Sequence, residues 1–121
     1  MKMVLRQDVV NALATKHGLI LNPIETGSDG TQRVCLERDE IDDRYCQALL
    51  AVRSGKVFCA TGLYRESAII NDGEVQVGSV DEAFAHAAAR FNIHAASLAE
   101  QYLENEYASY VNLDNRERPR A

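Results

Sequence analysis

The chain has 121 residues, 46% of them hydrophobic and 26% charged, which is the make-up of one ordinary globular domain and too apolar for a disordered one. No apolar run approaches the roughly 20 residues that a bilayer-spanning helix needs, and Met1 to Val10 mixes Lys2, Arg6 and Asp8 into its apolar residues, unlike a secretory signal. The net charge of −5 falls entirely in residues 61–121, where ten acidic side chains face five basic ones; such a surface repels phosphate backbones and argues against direct nucleic-acid binding.

In chain order, Val4 to His17 carries helical spacing (Val9, Val10, Leu13, Ala14), with Gly18 as a left-handed cap and Leu19 as its hydrophobic contact. Leu19 to Leu21 starts a strand that Pro23 confines to an edge. Thr26 to Gly30 is turn chemistry, and Thr31 to Glu37 alternates as a second strand. Asp39 to Arg53 fits a helix, because Ile41, Tyr45, Ala48, Leu49 and Val52 form an amphipathic stripe, with Ser54-Gly55 closing it. Lys56 to Thr61 is an apolar strand. Ser67 to Ile70 and Glu74 to Val77 flank Asp72-Gly73, a two-residue hairpin signal.

The last third is helical. Ser79 and Glu82 make a capping box, and Val80, Phe84, Ala87 and Phe91 share one face. Asn92-Ile93 is expected to interrupt, with a further helix from Ala95 to Val111. The order is then α-β-β-α-β-β-β-α-α: a single α+β domain over residues 1–111, with an antiparallel sheet of four to five strands and helices on one face. A polar, arginine-rich tail at 112–121 is expected to fray.

Residues 80–111 resemble a helix-turn-helix unit, small-residue helix, short turn and second helix, which implies a transcriptional regulator. The second helix departs from that pattern in chemistry. Phe91 to Val111 holds no Lys or Arg, and Glu100, Glu104 and Glu106 would meet the phosphates.

Asp39 and Asp43 would face one cation if both were on a helix, but acids in a first turn also suit the helix dipole, so no metal site is assigned. His17, His86 and His94 are too scattered for zinc, and His94 is placed near an N-cap. Cys35, Cys46 and Cys59 lack any CxxC spacing and read as free thiols of a reducing cytoplasm, Cys46 and Cys59 in the core and Cys35 on the other side of its strand. No phosphate-binding, nucleophile-elbow or zinc-protease motif occurs, so the chain leans away from enzymes, and an enzyme here would have a dispersed site. No catalytic residue, cofactor or metal ligand is assigned.

The last helix carries the one localised expectation. Glu100 and Glu104 lie one turn apart, Tyr107 continues their face, and Tyr110 follows. An acidic stripe ending in tyrosines suits a protein partner with a basic surface: charge steers, tyrosine anchors. The expected function is therefore that of a small acidic cytoplasmic binding or inhibitor protein, acting on such a partner or pairing with a second copy.

Overall fold

The computed structural model describes residues 4–117, with side chains described as far as Glu106. Helix α1 (Gln7–His17) is followed by six strands, β1 (Ile20–Leu21), β2 (Glu25–Thr26), β3 (Gln32–Asp39), β4 (Tyr45–Arg53), β5 (Lys56–Tyr64) and β6 (Ala68–Val77), and then by α2 (Val80–Glu117). The strands form one antiparallel sheet in the order β1-β3-β4-β5-β6, with β2 also on β3. The fold class is α+β as expected, both helices pack over the same sheet face, and the sheet has six strands where four to five were expected.

That face is built by strict alternation. Val34 and Leu36 on β3, Cys46, Ala48, Leu50 and Val52 on β4, and Val57, Cys59 and Leu63 on β5 are all buried. Val10 and Ala14 of α1 and Ala83, Phe84, Ala87, Phe91 and Leu98 of α2 close the core over them. The opposite face carries Arg33, Cys35, Glu37, Gln47 and Leu49 and is open to solvent, as antiparallel sheets often are.

The ends of α1 and α2 form as their residues require. Gly18 sits at φ 67° and its N–H donates to Thr15, while Leu19 donates to Ala14 and buries its side chain. At α2, the Ser79 hydroxyl accepts from the Glu82 N–H at 3.1 Å, and Glu82 reaches back to the Gly78 N–H at 2.8 Å.

Three expectations fail. Residues 39–53 are not a helix. They turn at Ile41–Arg44 and run out as the central strand β4, with a ladder on each side. Asp42 and Asp43 both take φ 58°, the left-handed pair of a two-residue hairpin turn, and Ser54-Gly55 (φ 51° and 73°) forms the next one rather than ending a helix. Asp72-Gly73 makes no hairpin: β6 continues through it, its ladder with β5 shifting register at the Asp72 bulge and again at Ile69. Asn92-Ile93 does not interrupt either, so α2 is a single helix of 38 residues and the expected helix-turn-helix lacks its turn. The helix continues past Val111 to Glu117, and the rest of the tail expected at 112–121 lies outside the described residues. No helix among the described residues is long and apolar enough to cross a membrane.

Candidate interaction surface

Helix α2 has two unlike halves. In the first, a stripe at helical spacing (Val80, Phe84, Ala87, Phe91, His94, Leu98) faces the sheet, and the small Ala83 and Ala87 let the helix approach β5 closely. The Cys59 thiol reaches the Ala83 carbonyl at 3.7 Å. Burial pushes the Cys46 and Cys59 thiols up to about 12, so both are inert core groups.

A charged cluster fastens this half to the sheet edge. In the β5–β6 register Thr61 opposes Gly73 and Gly62 opposes Asn71, which leaves Asp72 as the extra residue of the bulge. Gly73 takes φ 83°, a conformation only glycine adopts freely, and its N–H donates to the Asn71 side chain at 2.9 Å. The bulge turns Asp72 towards α2, whereas Glu74 points to the open face and pairs with Arg53 at 2.8 Å. Asp72 accepts from Arg90 at 2.7 Å, from the Thr61 hydroxyl at 2.7 Å and from His94 Nε2 at 2.8 Å. Burial alone would raise the Asp72 carboxyl, but the three hydrogen bonds outweigh it and hold the group well below the usual carboxylate range. The same ion pair raises Arg90. His94 is only 4% exposed, so it is a buried anchor in mid-helix and not near an N-cap.

From Ala99 to Glu106 no side chain joins the core. Every side chain from Ala99 to Glu106 is exposed, Tyr102 at 54% and Leu103 at 63%. Only Gln101, Tyr102 and Asn105 come near the body, bordering a shallow crevice with Ile41, Asp42 and Arg44 of the β3–β4 turn. At about 1.5 Å per residue, the half beyond Leu98 extends roughly 28 Å. It carries Glu100, Glu104 and Glu106 and no basic residue before Arg116. Of the residues singled out in the sequence, Glu100 and Glu104 are therefore both exposed on this projection; the side chains of Tyr107 and Tyr110 lie outside the described residues.

The remaining candidates are dispersed. Asp39 ends β3 and Asp43 lies in the turn, so no helix brings them together; Asp42 pairs with Arg44, and Arg38 with Glu40 at 2.6 Å. Among the described residues no three His, Cys, Asp or Glu side chains converge as metal ligands would. Cys35 lies on the open face, where the Gln47 amide donates to its sulfur at 2.8 Å; burial still raises the thiol, so it has no thiolate character. The sequence reading missed the Thr61–Asp72–Arg90–His94 cluster. Its available signal was Arg90 and His94 at i,i+4, one turn of the same helix face.

Compared with protein-family models, with curated proteins and with solved structures, the chain matches none.

Proposed function

We propose that this is a protein-binding domain whose working surface is the projecting half of α2, and that its partner presents a basic surface. One observation carries the reading: from Ala99 to Glu106 every side chain is exposed, Tyr102 and Leu103 among them, and the helix borders its own domain only at the shallow crevice by the β3–β4 turn. An isolated helix of this length is marginal in water, and most helical stability in proteins comes from packing an amphipathic face. A helix that keeps apolar side chains where its own sheet cannot reach them is suited to packing against something else.

The charge of the same segment selects the class of partner. Glu100, Glu104 and Glu106 lie in a stretch without Lys or Arg from Phe91 to Val111, and like charges one turn apart do nothing for the helix itself. Facing a basic surface they speed encounter, while Tyr102 and Leu103 supply the apolar contact that holds it. An inhibitor that occupies a nucleic-acid-binding surface is one protein of this kind.

The test is the Glu100→Lys, Glu104→Lys double variant, with melting temperature and partner capture from the native extract measured together. The melting temperature should stay within about 2 °C, because both positions are surface. Capture should fall, and the wild-type complex should weaken as salt rises. Unchanged capture by the double variant would remove the projecting half of α2 as the binding surface.

A further inference from the structure

The two edges of the sheet are treated differently. Beyond β3 lie β1 and β2, two residues each, with Pro23 between them, the short and broken edge by which proteins discourage strand pairing. Beyond β6 lies nothing among the described residues. This strand has ten residues, Ala68–Val77, with no Lys or Pro, and α2 lies mainly over β5 and only lightly over β6. Ile70 is 40% and Val75 39% exposed on the helix side, and Ile69 is exposed as well. An open edge of this length is a template for another strand.

We propose that β6 pairs antiparallel with β6 of a second copy, joining two sheets into one across a two-fold axis at Asp72-Gly73. The pairing is self-complementary because of the bulge. In a regular strand, Ile70 and Val75, five residues apart, would point to opposite faces. Here Ile70 opposes Leu63 and Val75 opposes Cys59, so both lie on the helix side. A two-fold at the bulge therefore sets Ile70 of each copy against Val75 of the other, a β-branched pair of the kind that stabilises sheets. The same register sets Asn71 against Glu74 on the open face; a second register shift, at Ile69, ends the matched stretch before Ala68.

Charge does not oppose this contact. The two acids of β6 are already engaged within their own chain, Asp72 by Arg90 and His94, Glu74 by Arg53. Shape favours a second copy over an unrelated strand. The edge is kinked at Asp72, and a straight partner would lose register there, whereas a second β6 bears the same kink at the same place. This inference uses a different part of the molecule from the projecting α2 and stands or falls separately.

The experiment is a mass measurement by light scattering at about 20 and about 200 μM of the wild type, the Ile70→Lys, Val75→Lys double variant and Leu103→Lys, with circular dichroism on each to confirm the fold. Wild type and Leu103→Lys should approach twice the chain mass at the higher concentration, and the double variant should stay at the single-chain mass. Should the double variant unfold, I70C with V75C replaces it: under mild oxidation the pair should give a covalent dimer, and I70C alone should not. A wild type that remains single at about 200 μM overturns the proposal and leaves the edge to an extended segment of another protein. Loss of the dimer in Leu103→Lys, with the β6 variant still dimeric, overturns it by placing the contact on α2.

Discussion

The two halves of α2 share one backbone and differ in everything that gives a helix its purpose. From Val80 to Leu98 the apolar stripe is continuous and buried, the Ser79–Glu82 cap starts it, and Asp72 fastens it through Arg90 and His94. From Ala99 the spacing that would continue the stripe holds Gln101, Tyr102 and Asn105, and the sheet has ended. The same helix thus serves the fold first and faces solvent afterwards. What separates the halves is where the sheet stops, since helix propensity hardly changes along them.

The largest test of this contrast is Phe91→Ala against Leu103→Ala. Phe91 is fully buried, and its truncation should cost about 4 kcal/mol by removing transfer energy and leaving a cavity. Leu103→Ala should change stability by less than about 0.5 kcal/mol. Chemical denaturation of the two variants side by side decides it, and equal losses would erase the distinction between the halves.

Next comes Asp72→Ala, which leaves Arg90, His94 and Thr61 without their acceptor and should cost about 2 kcal/mol. The pH dependence follows from the depressed carboxyl. Its stabilisation is fully present above about pH 4, where the unfolded group is also ionised, and is lost as the pH falls below that towards the lower folded value. Melting curves between about pH 5 and pH 2 should therefore show a steeper acid loss in the wild type than in Asp72→Ala.

A smaller effect separates the halves without any substitution. Amides of residues 83–94 should exchange with solvent near the global rate of unfolding, and those of 99–106 far faster, since that half buries no apolar stripe against the sheet. Comparable protection in both halves of the free protein would mean that the projection is stabilised by something other than its own domain.

The comparison also explains how much was legible beforehand. The caps at Gly18 and Ser79, β3 and the first-half stripe of α2 were readable because local chemistry and tertiary need agree there. Residues 45–53 were not: Cys46, Ala48, Leu50 and Val52 satisfy a period of two, Tyr45, Ala48, Leu49 and Val52 a helical one, and only the ladders to β3 and β5 choose between them. Asp72-Gly73 has hairpin composition, but an aspartate whose side chain is drawn to a helix and a glycine free to take φ 83° serve a bulge equally well. Asn92 is only a mildly poor helix former, and Arg38 of β3 donates to its side chain at 2.8 Å, so the helix runs on. The exposure of Tyr102 and Leu103 depends on where the sheet ends, and nothing local in the sequence encodes that.

The most direct measurement is on a chain ended after Ala99, assayed for melting temperature and for partner capture. If the first half of α2 holds the domain and the second half is its binding surface, the shortened chain should melt within about 3 °C of the full one, since the stripe from Val80 to Leu98 is retained. Its capture of the partner should be abolished. A shortened chain that captures the partner as before, or that loses its fold, would contradict the division of α2 into a packing half and a binding half.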